Sequence, residues 1–574
     1  MIARVHRFLT TSAAPNSPRT VFWFSLSLTF ALLYGIFALK AAFSSNYLVQ
    51  NDARMYVFWL QRFIDPDILP NDLNVAYHSS ISPPGYTGLY YLMAKLGVEP
   101  LLLSKLLPIA IGIIATIYCF GLCLQIFPVP TAAFIATLLM NQGLWLKDDL
   151  TSATPRAFVY PFFLAFLYYL LRGSLISVMV AIALLGLFYP PMMFIAVGIL
   201  IIRLGRWDKG RLRFSPHRYD YLLCAAGLGV AGIVTLPYVL STSEFGPLVT
   251  AAQAKNLPEF STDIGRIPYF HDKDAWAFWC KRMHSGFRLS INPPLVAAGF
   301  LLPLMRRYPS RFPAIKHLNP KIILLTQILL VSFCLYFAAH LLLFRLFMPS
   351  RYTAHSLLIL MAITGGIALC VLLDAILHAC EQPQRRQGIR FLVLGSTALV
   401  AAIMLLYPNI FWKEFADSGY FAGRVPALYE FFQKQPKNIV IASLTEEANN
   451  LPVFSQRSIL VGWKYAIPFH LGYYNQIRQR ATDLIRAQYS PNQAEVQNFI
   501  QKYKVDFWLV ERQTFEPSYL DYHWYKLFEP ARSEARNHLE YSHPALAQMM
   551  KRCSILEVEE FVVLQAKCLS QAEQ

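Results

Sequence analysis

Charged residues are scarce in this chain of 574 residues, since Asp, Glu, Lys and Arg make up only 15% of it. Soluble globular proteins carry about 25% charged residues. Hydrophobic residues reach 55%, aromatic residues reach 14%, and the mean hydropathy is +0.38. So little charge excludes an ordinary soluble globular protein, and we interpret the chain as an integral membrane protein.

Acidic residues are fewer than basic residues in this chain. The chain has 51 Lys and Arg against 34 Asp and Glu, which gives a formal net charge of +17. Nucleic-acid binding would need the basic residues gathered on one soluble face. They fall instead mostly in short loops between apolar runs, at 203–218, 306–321 and 385–390. Short loops rich in Lys and Arg stay cytoplasmic, so we expect these loops inside and no nucleic-acid partner.

Long apolar runs set the fold class. A helix needs roughly 20 apolar residues to cross about 30 Å of hydrocarbon, and somewhat fewer inside a bundle. The sequence therefore predicts a mainly α fold, a polytopic transmembrane bundle of about eleven spans. The spans are predicted near residues 21–43, 101–126, 129–146, 156–171, 174–188, 190–204, 220–241, 291–305, 322–343, 355–377 and 391–407.

Basic residues near the N-terminus set the predicted orientation. Arg4, Arg7 and Arg19 hold the N-terminus inside, and alternation from there keeps the basic loops inside. A cleavable signal peptide at 1–43 is the alternative, but its apolar core would be only about 7–15 residues long. We expect the protein to lie in an inner (plasma) membrane, with residues 1–20 as a cytoplasmic N-terminus. Residues 21–407 are predicted to form the helical bundle, with outer loops at 44–100 and 242–290. Residues 408–574 are predicted to form an extracytoplasmic C-terminal domain.

The C-terminal region has no Gly-rich phosphate loop and no catalytic elbow. Its hydropathy is lower, and "KNIVIAS" (437–443) has the pattern of a short buried strand. The segment 474–488 is an amphipathic helix by periodicity, and 493–511 reads as a helix that runs into a strand. This alternation predicts a small α/β domain, to which we assign a packing or substrate-gating role.

Cysteines are few in this C-terminal region. Seven of the nine lie in or beside predicted membrane segments, and only Cys553 and Cys568 are in the C-terminal region. "SILEV" and "FVVLQAK" flank Glu559 and Glu560, so a hairpin that turns there would bring the two sulfurs opposite each other. An oxidising compartment would favour a disulfide, and two buried free thiols are the alternative.

An acidic loop follows the first predicted span: "NDARMYVFWLQRFIDPDILPND" (51–72). Asp65 and Asp67 have the Pro and Asn neighbours of ordinary turns. Asp52 begins an amphipathic stretch, "ARMYVFWLQRFI", that we expect to lie along the membrane surface. A partly desolvated carboxylate at that boundary can have a tuned pKa, so Asp52 is a candidate general base, and Asp67 and Asp72 are the alternative acids.

Basic residues in outer loops are candidates to hold an anionic group. "LFRLFMPSRYTAH" (343–355) supplies Arg345 and Arg351, and "KDDLTSATPRAFVYP" (147–161) supplies Arg156 at the same predicted level. Arginine suits bidentate contacts with phosphate. The alternative is that these arginines are interfacial anchors for lipid headgroups.

A metal site is only weakly indicated, and we expect no cofactor. "YFHDKDAWAFWCKRMH" in the loop 242–290 contains His271, Asp272, Asp274 and His284. These residue types suit a divalent cation, but their spacing matches no specific motif. The segment is also aromatic enough to be an interfacial helix.

Together these features resemble the GT-C class of membrane glycosyltransferases, which use polyprenyl-phosphate-linked sugars. The matching elements are the first span with its outward loop and "NDARMY", the segments "DPDILPNDL" and "SPPGYTGLYYLMAKLG", the bundle of predicted spans, and the C-terminal α/β region. "LFYPP" and "PSRYT" also resemble segments of uncharacterised bacterial relatives of that class. Many members have two acidic residues adjacent or one apart at the first motif, whereas Asp52 here is flanked by Asn51 and Ala53.

The resemblance implies that Asp52 is the base and that Arg345 or Arg351 holds the lipid phosphate. The implied partners are the bilayer, a polyprenyl-phosphate-linked sugar and an unknown acceptor. Two alternatives remain. One is a transporter or flippase of a lipid-linked or anionic substrate, although few ionisable residues lie deep in the predicted spans. The other is a non-catalytic membrane scaffold, in which the candidate residues need not meet in space.

Overall fold

The fold is taken from a computed structural model of the whole chain, which describes residues 2–571 apart from 209–210, 241–242, 271–273, 382–386, 414, 417–418 and 523. Helix is the main secondary structure. The helices before the C-terminal region are α1 Ile2–Thr10, α2 Pro18–Ala42, α3 Ala53–Val57, α4 Leu73–Ile81, α5 Pro84–Lys95, α6 Pro100–Ile126, α7 Pro130–Trp145, α8 Asp148–Thr151, α9 Val159–Arg172, α10 Leu175–Phe188, α11 Pro190–Arg203, α12 Arg218–Leu240, α13 Ala251–Lys255, α14 Leu302–Arg307, α15 Ile323–Leu341, α16 Arg351–Glu381 and α17 Gln387–Phe411.

The remaining elements are mostly in the C-terminal region. The later helices are α18 Pro426–Gln433, α19 Leu451–Phe454, α20 Leu471–Tyr489, α21 Gln493–Tyr503, α22 Ala531–Tyr541, α23 Ala545–Cys553 and α24 Ala566–Ser570. The strands are β1 Leu48–Gln50, β2 Gly205–Asp208, β3 Arg211–Phe214, β4 Tyr420–Ala422, β5 Val440–Ala442, β6 Ser458–Ile459, β7 Phe507–Glu511, β8 Ser554–Val558 and β9 Phe561–Gln565.

Each predicted membrane segment contains helical structure. Within the described residues, six stretches are long and apolar enough to cross a membrane, which confirms a multi-pass membrane protein: Pro18–Ala42, Pro100–Ile126, Arg218–Tyr238, Pro320–Leu341, Arg351–Glu381 and Arg390–Phe411. Shorter apolar helices, such as α10 and α11, lie between them. The full number of spans and their orientation stay predictions.

The predicted span near 291–305 is not a continuous α-helix. A 3₁₀ helix occupies Pro294–Leu301, and the short α14 follows it. Pro303 has no N–H, so it cannot donate the helical hydrogen bond to the carbonyl four residues earlier, at Gly299. The change of helix type at this point follows from the proline.

The centre of the bundle is α7 packed against α16. Every residue of α7 from Pro130 to Trp145 is buried. Gly366 of α16 allows this close approach, because a Cβ there would lie 2.5 Å from the backbone nitrogen of Ala136. α7 is therefore an internal helix, whereas α17 is exposed along most of its length.

The C-terminal region contains a five-stranded mixed sheet with the strand order β6-β5-β7-β9-β8. β5 is parallel to both β6 and β7, and β9 is antiparallel to β7 and β8. The hairpin of β8 and β9 turns at Glu559 and Glu560, and a disulfide joins Cys553 and Cys568. These are the two cysteines that the sequence singled out.

The acidic loop packs against the C-terminal region. The stretch 53–63 forms α3 and a 3₁₀ helix whose side chains are largely buried, with Leu60 fully so. Phe58 contacts the ring of Tyr465, with 4.9 Å between the centroids, and Gln61 donates to the carbonyl of Val453. The apolar face of this stretch is therefore covered by protein, and its position relative to the membrane surface stays a prediction.

Candidate active site

Asp52 stands at the start of α3, but its carboxylate does not cap that helix. The side-chain oxygen of Gln50 accepts hydrogen bonds from the backbone nitrogens of Asp52, at 2.7 Å, and of Ala53, at 3.1 Å. A helix start needs such an acceptor for its free N–H groups. Because Gln50 supplies it, the carboxylate of Asp52 is left to interact with other groups.

The backbone next to Asp52 is fixed by a strand from far along the chain. β1 pairs with β4, which follows the last long helix, and Asn51 donates a backbone hydrogen bond to the carbonyl of Gly419 at 2.8 Å. Gly419 has a φ of 73°, and a Cβ there would lie 3.0 Å from the side chain of Gln50 and 3.4 Å from Asp148. A glycine is needed at this crossing, where the acidic loop meets the start of α8.

Arg156 lies at the centre of a group of carboxylates. Its guanidinium is 2.8 Å from Asp52, 2.9 Å from Asp148 and 3.4 Å from Asp149. The side chain of Arg156 is only 8% exposed, whereas that of Asp52 is 30% exposed. The arginine is therefore the buried partner, and the carboxylate of Asp52 is the partner that solvent or a ligand can reach.

Lys464 brings a second cation to Asp52 from the C-terminal region. Its Nζ donates to Oδ1 of Asp52 at 3.1 Å. Lys464 follows β6, and its backbone nitrogen donates to the side-chain oxygen of Asn449 at 2.8 Å. The side chain is 8% exposed, so Lys464 is held in place by burial and by its backbone contacts.

The charges around Asp52 decide its protonation state. Burial raises the pKa of this carboxyl group, but the positive charges of Arg156, Lys464 and Arg351 outweigh burial and lower it to about 2. Burial lowers the pKa of Lys464 to about 8, although Asp52 opposes this change. At neutral pH Asp52 is thus a firmly ionised carboxylate with weak basicity.

Behind Arg156, Asp149 joins a buried hydrogen-bond chain. The hydroxyl of Tyr160 donates to Asp149 at 3.0 Å and lies 3.0 Å from Nδ1 of His355. His355 is fully buried, in the first turns of α16. Burial raises the pKa of Asp149, but Arg156 and His355 hold it well below its usual range. This chain fixes the start of α16 next to the carboxylates.

Arg351 and Arg266 extend the positive field around Asp52. Arg351 is the first residue of α16, and its charge lowers the pKa of Asp52, as does that of Arg156. Arg266 donates to the carbonyls of Trp463 and Lys464 at 3.2 and 3.3 Å. Burial, followed by the charges of Arg351 and Arg266, lowers the pKa of His284 to about 3. His284 is therefore neutral beside this group of cations.

The other predicted site residues lie elsewhere. Arg345 is exposed, and the structure does not bring it into this cluster. Asp67 is exposed in a surface turn. Asp72 caps α4, because its carboxylate accepts from the backbone nitrogens of Asn74, at 2.7 Å, and Val75, at 3.2 Å. Asp72 thus has a structural role as a helix cap, and neither Asp67 nor Asp72 forms an ion pair with Arg156.

The predicted cation ligands of the loop 242–290 do not form a cluster that the structure describes. His271 and Asp272 lie outside the described residues, as do Lys209, Arg385 and Arg386 of the basic loops. Asp274 accepts from the backbone nitrogen of Ala277. Among the described residues, no group of three or more His, Cys, Asp and Glu side chains has a metal-binding arrangement.

Comparisons with known proteins identify the fold. No protein-family model matches the chain, and no curated protein matches it. Two solved structures of the Archaeoglobus fulgidus oligosaccharyltransferase match with a TM-score of 0.53. The first is tethered to an acceptor peptide, and the match has 13% identity and covers 89% of this chain and 72% of that chain. The second, AglB in complex with an inhibitory peptide and a dolichol-phosphate, has 12% identity, and the match covers 90% of this chain and 72% of that chain. The chain has the GT-C fold.

A third structure supports the same GT-C fold. The arabinofuranosyltransferase AftD from mycobacteria matches with a TM-score of 0.53 and 12% identity over 97% of this chain. The match covers 40% of AftD, so this chain spans less than half of that protein. The expected resemblance to GT-C glycosyltransferases is thus confirmed at the level of the fold.

The sequence pattern pointed to part of this candidate site but not to all of it. It named Asp52, Arg156 and Arg351, which the structure brings together. It gave no role to Lys464, in "VGWKYA", or to His355, in "PSRYTAH". A lysine flanked by aromatic residues in an otherwise apolar stretch is a weak signal, and nothing local connects it to an aspartate 412 residues earlier.

Proposed function

We propose that this protein is a membrane glycosyltransferase that moves a sugar from a polyprenyl-phosphate donor to an acceptor at the outer face of the membrane. The observation that carries the proposal is the convergence of Asp52, Arg156, Arg351 and Lys464. These residues come from four distant segments of a chain that has the GT-C fold. A scaffold would not need a partly exposed carboxylate among several cations.

The proposed chemistry is an inverting displacement. An acceptor hydroxyl or amine attacks the anomeric carbon, and Asp52 takes the proton that the nucleophile loses. The new bond forms on the face opposite to the bond between the anomeric carbon and the phosphate oxygen. That second bond breaks, and the lipid phosphate leaves with the electron pair. Guanidinium groups stabilise the negative charge that develops on the phosphate.

Arg351 is the best candidate to receive the donor phosphate. Arg156 already contacts three carboxylates, at 2.8 to 3.4 Å. Arg351 has no ion pair within the described part of the chain, and its buried Nε has no hydrogen-bond partner. An arginine with unused donors at an ionic cluster is suited to a bidentate contact with phosphate.

Donor binding would also make Asp52 a stronger base. The pKa of about 2 reflects the contacts with Arg156 and Lys464. A phosphate bound at Arg351 would neutralise one of the charges that lower this pKa, and its own negative charge would raise the pKa further. In this proposal the carboxylate becomes an effective base only after the donor has bound.

A transfer assay tests the proposal. Membranes that contain the wild-type protein or Arg351→Ala are given a panel of polyprenyl-phosphate sugars, and a soluble sugar nucleotide serves as the control donor. We expect transfer by the wild type that depends on the lipid donor, inverted anomeric configuration in the product, and a large loss in Arg351→Ala. Lys413→Ala, a change at an exposed residue after α17, is the matched control. A folded wild-type protein that uses no lipid donor would contradict the proposal.

A further inference from the structure

A cavity of about 940 Å³ lies between helices of the bundle, and no residue of the Asp52 cluster lines it. It is lined by the first half of α16, from Leu357 to Thr364, by the end of the 3₁₀ helix at Pro294–Leu301 with α14, and by the first half of α15. Its volume is at the upper end of the range of ligand pockets, roughly 300–1,000 Å³. The lining is mostly apolar, which suits a hydrocarbon chain.

The two ends of the cavity differ. Phe287 stacks on Phe333 at the end toward the Asp52 cluster, with 4.5 Å between the ring centroids. Arg306 and Arg307 line the other end, and both are exposed. Neither arginine forms an ion pair with an acidic residue among the residues that the structure describes. The cavity therefore has one aromatic end and one cationic end.

The length of the cavity matches one leaflet. Along α15 the lining runs from Ile323 to Phe333, a rise of about 15 Å at 1.5 Å per residue. That distance is half of the hydrocarbon core, which is about 30 Å thick. A lipid with its headgroup at the arginines would place its acyl chains along the cavity and end them near Phe287.

We propose that this cavity binds one phospholipid with an anionic headgroup, held by Arg306 and Arg307. The charge of the arginines selects an anionic headgroup over a zwitterionic one, because each basic residue near an anionic lipid surface adds attraction. No residue of the Asp52 cluster lines the cavity, so the phosphate of a donor at Arg351 would lie outside this site. This lipid site is independent of the proposed catalytic function.

Lipid retention tests the proposal without any activity assay. The full-length protein is purified in mild detergent, and lipids that remain bound are identified by native mass spectrometry and by extraction. We expect one anionic phospholipid per chain in the wild type. Arg306→Gln/Arg307→Gln should lower its retention roughly 25-fold, a factor of about five for each charge. Arg311→Gln, a nearby exposed arginine that does not line the cavity, should retain the lipid.

A second pair of variants tests the acyl chains. Thr326 lines the cavity and is exposed, so Thr326→Trp should fill the space and displace the lipid in a folded protein. Leu330→Trp, one helical turn later and outside the lining, is the control and should have no effect. The proposal is overturned if the wild type retains no lipid or a zwitterionic one, if the double arginine variant retains as much as Arg311→Gln, or if the bound lipid is a polyprenyl phosphate.

Discussion

Lys464 donates a hydrogen bond to Asp52 across 412 residues of sequence, with 3.1 Å between Nζ and Oδ1. This contact joins the C-terminal region to the loop after the first long helix. Arg156 contacts the other oxygen of the same carboxylate, at 2.8 Å. Asp52 is thus held between a cation of the helical bundle and a cation of the C-terminal region, which places the candidate site between the two.

Asp52→Asn should abolish most of the proposed transfer. The amide cannot accept the proton, and general base catalysis contributes roughly 10²- to 10⁴-fold. The rate of sugar transfer from the lipid donor measures the loss. Asp67→Asn removes an exposed carboxylate from the same loop and should keep full activity. Equal activities of the two folded variants would rule out Asp52 as the base.

Lys464→Met should move the acid limb of the profile of kcat/KM against pH to higher pH. The base works as the ionised carboxylate, so activity falls as the pH drops through the pKa of Asp52. In the wild type Lys464 helps to lower that pKa to about 2, and its removal raises it. Because kcat/KM reports the free enzyme, it is the quantity to measure.

Lys437→Met is the matched control for that variant. Lys437 forms an ion pair with Asp65 at 2.5 Å, and the two side chains are 47% and 34% exposed. Its removal should leave the pH profile unchanged. A Lys464→Met protein with normal stability and an unshifted acid limb would show that Lys464 does not tune Asp52.

His78 should make the folded protein sensitive to acid. The imidazole is 2% exposed, and burial lowers its pKa from 6.5 to about 3. The unfolded chain takes up a proton near pH 6.5 and the folded chain does not, so stability is complete above pH 6.5 and is lost as the pH falls toward 3. Between pH 6.5 and 5 the loss is on the order of 2 kcal/mol.

Thermal unfolding in detergent at several pH values measures this effect. His78→Gln should show a weaker dependence on pH than the wild type below pH 6.5, whatever its stability at neutral pH. His543→Gln, at an exposed histidine, should keep the dependence of the wild type. The same slope in all three proteins would mean that His78 is not the group that senses acid.

The disulfide should stabilise the C-terminal region. Cys553 and Cys568 are 15 residues apart, and closing a loop of that length contributes roughly 3 kcal/mol by restricting the unfolded chain. Cys553→Ser/Cys568→Ser should lower the free energy of unfolding by about this amount. Unfolding of the full chain, followed by protease sensitivity after residue 412, measures the loss.

Cys334→Ser changes an exposed free cysteine and should leave stability unchanged. This variant shows the effect of replacing a cysteine that forms no disulfide. If reducing agent destabilises the wild type as much as it destabilises the double serine variant, the disulfide does not contribute.

Local sequence patterns were enough to predict helices at the membrane segments and four of the strands, β5, β7, β8 and β9. Apolar runs that are long enough to be helical became helices at the predicted segments, because helical hydrogen bonds and burial of an apolar face are local properties of a segment. The hairpin of β8 and β9 followed from apolar runs on both sides of Glu559 and Glu560 in the same way. The predicted helix near 291–305 differed because Pro303 breaks the hydrogen-bond pattern.

Only the tertiary structure decided which polar groups meet. Gln50 accepts the backbone hydrogen bonds at the start of α3, so the carboxylate of Asp52 can contact other groups. The carboxylate of Asp72 instead accepts the backbone hydrogen bonds at the start of α4. Arg351 is beside the carboxylates, and Arg345, six residues earlier, is exposed. Ionic contacts between distant segments depend on how the helices and the C-terminal region pack, and no local pattern encodes that packing.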